Sequence, residues 1–300
     1  VSSLEGGYNL QALVRSVEAH TRVLAVYKEF LMSTLGIEPT PSPLVHSRDE
    51  RGVHTLTLDR AASFNALSED MLTALQAALD AVALDQSARV IVIAAHGKAF
   101  CAGHNLKDMR AQPDLAFYQK LFAQCTRMML AIQNLPVPVI AKVQGLATAA
   151  GCQLVAQCDL AVASSNASFG VNGIDVGLFC ATPSVPLVRN IPAKQAMEML
   201  LTGGFISAEE ARVRGLVNRV VAPEELDTEV EQMLQAILAK PREAIAMGKA
   251  LFYRQRETGI AAAYQLAGQT MACNMLHPVA QEGVQAFIDK RKPKWPAPTP

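Results

Sequence analysis

The sequence predicts an α/β fold, with a parallel-stranded core and a helical C-terminal part. Three observations carry this reading. Between residues 52 and 192, short β-rich runs alternate with longer stretches of helical periodicity, the pattern of parallel strands joined by right-handed crossovers. Two of the strand-to-helix junctions are rich in small residues, "FCAG" (100–103) and "TAAG" (148–151). After about residue 193 the strands thin out and helical stretches follow one another.

The elements follow in order. Over residues 9–35, Leu10, Leu13, Val14, Val17, Thr21, Leu24, Tyr27 and Leu31 recur at helical spacing, which predicts an amphipathic helix. Glu5, Glu18, Glu29 and Glu38 outweigh Arg15, Arg22 and Lys28. Transit peptides are Arg-rich and poor in acids, so the segment reads as an appended helix that packs on its own protein or a neighbour. "PTPSP" (39–43) reads as a stiff linker. "GVHTLTLD" (52–59) alternates as a strand does, and "LSEDMLTALQAALDAVALD" (67–85) has a helical period with Ser68 placed to cap it. "RVIVIAA" (89–95) is a buried strand, followed by a helix over 113–135 that Pro136 stops. "PVIAKVQG" (138–145) is a strand, "TAAGCQLVAQC" (148–158) a helix and "DLAVAS" (159–164) a strand. Helices are predicted over 193–203, 207–215, 223–240, 241–255 and 259–276, interrupted by the short β-rich "LVNRVV" (216–221). The expected organisation is an extension and linker over 1–43, a spiral core over 44–192 and a helical region over 193–300.

Composition excludes some classes of function. The 27 basic and 27 acidic residues cancel, unlike the basic excess of a general nucleic-acid binder. No apolar run approaches the length of a membrane span. The cysteines at 101, 125, 152, 158, 180 and 273 form no C-x-x-C and no His/Cys zinc pattern, so no metal is expected. Scattered free thiols fit a reducing compartment, and a cytoplasmic location is expected.

The two small-residue turns carry the chemistry. Each can leave backbone N–H groups unpaired at a helix start, and two such donors aimed at one point make an oxyanion hole. Tight helix–strand packing is the alternative explanation, and spacing alone does not choose between them.

Six segments decide the matter together: "DRAASFNALSEDM", "GKAFCAGHNLKDM", "PVPVIAKVQGLATAAGCQLVAQCDLAVAS", "FGVNGIDVGL", "LLTGGFISAEEARVRGLVNRVV" and "EGVQAFIDKRKPKW". In this order, from about Val45 to Trp295, they resemble the crotonase, or enoyl-CoA hydratase/isomerase, superfamily. The "TAAGCQL" run and the "GLFC-TP" stretch narrow the resemblance to one subgroup of it. The resemblance implies a crotonase-type ββα spiral core with a helical C-terminal trimerisation region, in a homotrimer or a hexamer. It implies an acyl-CoA thioester as substrate in fatty-acid metabolism, with coenzyme A as part of that substrate and no separate cofactor. It assigns the oxyanion hole to the backbone N–H groups of Ala102 and Ala150. It lays the loop of Ala102, His104, Asn105 and Leu106 along the adenine and pantetheine. It brings Arg60 and the C-terminal Lys290 and Lys294 towards the CoA, although charge runs of this kind are usually solvated.

The sequence departs from the family at the point of proton transfer. Family hydratases add water with two glutamates, and those positions hold Gln153 and Gly173 here. Neither can exchange a proton near pH 7. Asp175, His104, Ser63, Asn65 and Asn172 are the polar residues nearby that could take part instead, and Cys101 and Cys180 could line the acyl pocket. Ala61 and Ala62 stand where the family often has proline and a basic residue. The reading is therefore a CoA-ester-binding hydratase/isomerase relative with an oxyanion hole and doubtful hydratase activity. A non-catalytic binding or regulatory protein is the alternative. Restoring glutamates at both 153 and 173 is expected to return activity, in part where a glutamate at 173 lacks supporting side chains.

Overall fold

The computed structural model describes residues 42–296; the helix expected over 9–35 lies outside them. A six-stranded sheet is built from β1 (Leu44–Arg48), β2 (Val53–Leu58), β3 (Val90–Ala95), β5 (Val139–Val143), β7 (Leu160–Ser164) and β10 (Arg219–Val221), in the order β1-β2-β3-β5-β7-β10. β1 and β2 form an antiparallel hairpin, and every other neighbour is parallel. A second, smaller sheet holds β4 (Ala99–Cys101), β6 (Leu146–Thr148), β8 (Ser168–Gly170) and β9 (Ile206–Ser207). Three successive turns of chain thus place one strand in each sheet, β3 then β4, β5 then β6, β7 then β8. This is the ββα spiral that the resemblance implies.

Helices fill the turns of the spiral. α1 (Glu69–Leu84) starts where the Ser68 hydroxyl accepts from the Met71 N–H at 3.3 Å, an N-cap that satisfies one orphan donor. It buries Met71, Leu72, Leu75, Leu79 and Val82 on one face, the 3.6-residue stripe of an amphipathic helix. After the short α2 (Leu106–Ala111), α3 (Leu115–Asn134) is capped by Asp114 and buries Leu121, Cys125, Met128, Met129 and Ile132. α4 (Ala150–Gln157) is buried along nearly its whole length. α5 (Ala181–Asn190), α6 (Ala193–Thr202) and α7 (Ala208–Arg214) follow, then α8 (Leu226–Leu238).

α8 closes the outer face of the large sheet. Its Leu226, Val230, Met233 and Leu234 pack with Val53, Val90, Val92, Ile140 and Val162. Covering on both faces explains why the central strands read as unbroken apolar runs. Because β10 joins the sheet beside β7, the core runs past the expected boundary at 192.

The remaining helices are α9 (Arg242–Arg256), α10 (Ile260–Leu276) and α11 (Pro278–Ile288). Lys249 on α9 reaches into the core, where its ammonium donates to Ile132 O, Val137 O and Asp159 Oδ2 at 2.9, 2.9 and 2.6 Å. Tyr253 donates to the other Asp159 oxygen at 2.8 Å. No helix among the described residues is long and apolar enough to cross a membrane.

Candidate active site

β4, β6 and β8 lie side by side and parallel, so the turns that follow β4 and β6 stand next to each other. Their separation is set by glycine. A Cβ on Gly151 would lie 2.0 Å from the Cys101 carbonyl oxygen. Gly103 has φ +84°, and a Cβ there would lie 2.9 Å from Ala149 Cβ and 3.0 Å from Ala150 N. The two turns therefore touch through backbone.

Several amides at these turns already have acceptors. Ala102 N–H donates to Phe64 O at 3.0 Å, and Ala149 N–H to Gly170 O at 3.0 Å. Leu67 N–H donates to Gly103 O at 2.7 Å, within a parallel bridge between Leu67 and His104. In that pattern the His104 N–H points away from the Leu67 strand. Ala150 is the first residue of α4, so its N–H has no acceptor inside the helix. Among the described residues, Gly103 N–H meets only the Cys101 Sγ, at 3.5 Å, and the amides of His104 and Ala150 are among those at the two turns with no backbone acceptor. This keeps the expected role of Ala150 available and corrects that of Ala102. The Ala102 donor is consumed by Phe64, whose own left-handed backbone (φ 51°) turns its carbonyl towards the loop.

The side chains sort into those that face the site and those that hold it. Gln153 is buried in the first turns of α4, and its Oε1 has no partner. His104 places Nδ1 3.2 Å from Leu67 O, and its ring meets Phe122 edge-on at 5.5 Å. Its Nε2 is buried without a partner. Burial holds this imidazole below its ordinary pKa, although the Leu67 carbonyl opposes the shift. The Leu67 carbonyl can only accept, so Nδ1 is the donor of this bond, and in the neutral ring that burial favours Nε2 is the acceptor nitrogen.

Gly173 lies in a 3-10 turn over Asn172–Val176, with its N–H 3.3 Å from Cys180 Sγ. Asn172 accepts from the Thr148 hydroxyl at 2.6 Å, tying this turn to β6. Asp175 is exposed, and its carboxylate oxygens lie 2.6 and 3.0 Å from where a Cβ on Gly203 would be. It packs on the end of α6 at Gly203, and the catalytic expectation for it receives no support. Asn65 is structural: buried, it accepts from Arg60 N–H and donates to the carbonyls of His96 and Ala99. Ser63 is exposed and donates to Arg60 O at 3.1 Å.

Asn105 caps α2 by accepting from Lys107 N–H, and Leu106 is exposed. Leu67, Ser68, Asn105, Asp108, Phe117 and Leu121 line a cleft beside this loop. Arg60 is half-buried, with a guanidinium bond to Asp59 O at 3.0 Å. Lys290 and Lys294 are exposed at the far C-terminus, where Arg291 pairs with Glu282. Burial pushes the thiols of Cys101 and Cys152 up to about 12 and raises that of Cys180, so none is an activated nucleophile. Among the described residues no cluster of three metal-binding side chains occurs.

The sequence reading missed the amide bookkeeping at residues 64 and 102, the carbonyl that fixes His104, and the backbone of Ala149. Only the last had a signal, an alanine in a turn that needs close approach.

Comparison with known proteins gives the family. The family model described as enoyl-CoA hydratase/isomerase matches residues 48–298. The enoyl-CoA hydratase domain-containing protein 3, mitochondrial, of Xenopus laevis is 43% identical over 274 residues, covering 91% of this chain and 92% of that protein. A crystal structure of an enoyl-CoA hydratase from Mycobacterium smegmatis superposes with TM-score 0.84 at 63% identity, covering 86% of this chain and 99% of that one. The human enoyl-CoA hydratase domain-containing protein 3 superposes with TM-score 0.81 at 43% identity, covering 84% and 100%. The subgroup that the "TAAGCQL" and "GLFC-TP" stretches resemble is the domain-containing protein 3 group. The Xenopus relative is mitochondrial by name, which overturns the cytoplasmic expectation. That expectation rested on free thiols, and free thiols mark a reducing compartment without distinguishing one from another. The chain belongs to the enoyl-CoA hydratase/isomerase, or crotonase, family.

Proposed function

We propose that the chain binds acyl-CoA thioesters and polarises the thioester carbonyl between the backbone N–H groups of His104 and Ala150. The observation that carries this reading is the contact of the two turns at Gly103 and Ala150, with these two amides left unspent. Two converging donors stabilise the charge that develops on a thioester oxygen, worth roughly 10²–10³-fold per donor. Polarisation acidifies the α-carbon and activates the β-carbon of an enoyl group towards water.

The same site is poor at moving protons. Gln153 is an amide and Gly173 has no side chain, so the chain is a weak hydratase of the family that acts in fatty-acid metabolism. A CoA-ester-binding protein without turnover is the second reading, favoured by the same two residues. Asn105 and Leu106 lie along the CoA in this proposal, with Arg60, Lys290 and Lys294 near its phosphates. A homotrimer or hexamer covers the exposed apolar side chains of the C-terminal helices, among them Ile260, Leu276 and Phe287 at 76%, 77% and 85% exposure. Closed symmetric assembly is the usual way to bury such patches.

Calorimetry with butyryl-CoA and free CoA tests the reading. The wild type is expected to bind the thioester more tightly. Ala150→Pro, which deletes one donor at a helix position that tolerates proline, is expected to lose that preference. Equal loss for both ligands would contradict the oxyanion role, and binding of neither would sink the proposal.

A further inference from the structure

Ala149 is the one alanine among the described residues with positive φ. Its φ of 50° and ψ of −120° are those of the first corner of a type II′ turn, which glycine fills at no steric cost. An L-residue held there is strained, and such strain persists only where the surroundings over-determine it. Three contacts do so here. Ala149 N–H donates to Gly170 O at 3.0 Å, its carbonyl accepts from Gln153 N–H at 3.0 Å, and its Cβ abuts Gly103, 2.9 Å from where a Cβ on that glycine would be.

The position of that methyl group matters. Ala149 precedes Ala150, and Gly103 precedes His104. The Cβ of Ala149 therefore faces Gly103, so the two residues that immediately precede the His104 and Ala150 amides meet through this methyl group. With glycine at 149 the backbone would relax; the pairing of β4 with β6 and the contact of Gly151 with the Cys101 carbonyl would still hold the turns together, and the methyl group that limits their approach at Gly103 would be gone.

We infer that Ala149 is a positioning residue: its methyl group sets the spacing of the His104 and Ala150 amides, at the expense of backbone strain. This rests on the proposed carbonyl-binding role of those amides. It makes an unusual prediction, because the variant that loses function gains stability. A residue whose role was only packing would lower both or neither.

The experiment compares wild type, Ala149→Gly and Ala149→Ser by thermal melting and by binding of two ligands. Butyryl-CoA carries the thioester carbonyl; S-butyl-CoA, the thioether, lacks it. Ala149→Gly is expected to raise Tm by about 2–4 °C. It is also expected to weaken butyryl-CoA binding about tenfold, in line with the sensitivity of such sites to small misplacement, and to leave S-butyl-CoA unchanged. Ala149→Ser keeps the Cβ and is expected to keep the wild-type ratio of the two affinities. A glycine variant with unchanged or lower Tm, or with equal effects on both ligands, overturns the inference and leaves the carbonyl-binding proposal standing if the wild type prefers the thioester. A wild type that binds both ligands alike overturns the two together.

Discussion

A Cβ on Gly173 would lie 2.5 Å from the carbonyl oxygen of Leu178 and 2.8 Å from Cys180 Sγ. The first contact is with backbone, so a side chain at 173 requires the chain over 173–178 to move. That chain is held by bonds from Leu178 N–H to Gly173 O at 2.9 Å and from Gly177 N–H to Ile174 O at 3.0 Å. Gly173→Glu is therefore expected to destabilise by about 1–3 kcal/mol, the usual range for overpacking. The midpoint of urea unfolding measures this. The site at 173 is closed around glycine, which is a steric reason for the return of activity in a double glutamate variant to be partial.

The buried pair of Lys249 and Asp159 anchors the C-terminal helices to the core. Their side chains are 7% and 14% exposed, and burial lowers the Lys249 pKa while Asp159 opposes that shift. Lys249→Met leaves the carboxylate without its cation and two carbonyls without a donor. A loss of about 3–5 kcal/mol is expected, measured by denaturant unfolding. Adding Asp159→Asn is expected to recover part of it.

The His104 imidazole predicts a pH dependence of stability. Its pKa is lowered in the folded chain, chiefly by burial, so the unfolded chain binds the proton more readily. Stability is then complete above the unfolded value of about 6.5 and falls as pH drops below it. His46 is lowered as well, by burial and by the neighbouring His54, and contributes in the same direction. His104→Asn keeps a donor for Leu67 O and is expected to flatten, without abolishing, the decline in Tm between about pH 6.5 and pH 5.

The legible parts of this fold were those with a period. The helix expected over 67–85 is α1, and Ser68 caps it; the strand expected over 138–145 is β5. β4, β6 and β8 have three residues each and β9 two, too few to show alternation, so the second sheet was invisible from spacing. α5 went unseen because it carries Pro183 near its start and Pro186 inside, residues that ordinarily argue against a helix. At the site, the two turns and the missing carboxylates could be read from residue type. Which amide remains free could not, because it depends on a carbonyl at Phe64 that reaches Ala102 across 38 positions. Asp175 looked available in one dimension, and its contact with Gly203 is a tertiary fact.

The central claim is that this chain keeps a carbonyl-polarising pair of amides and lacks the groups that carry protons. Loss of the enoyl-thioester absorbance of crotonyl-CoA tests it most directly, with wild type and Gln153→Glu compared. Acid–base groups contribute about 10²–10⁴-fold each, and a typical enzyme turns over at about 10 per second. The wild type is expected to remain below about 0.1 per second on that basis. Gln153→Glu is expected to raise the rate at least about tenfold, since a carboxyl in this buried position has a raised pKa and exchanges protons nearer neutrality. Wild-type turnover near 10 per second would contradict the claim and direct attention to the bare Nε2 of His104 as the proton carrier.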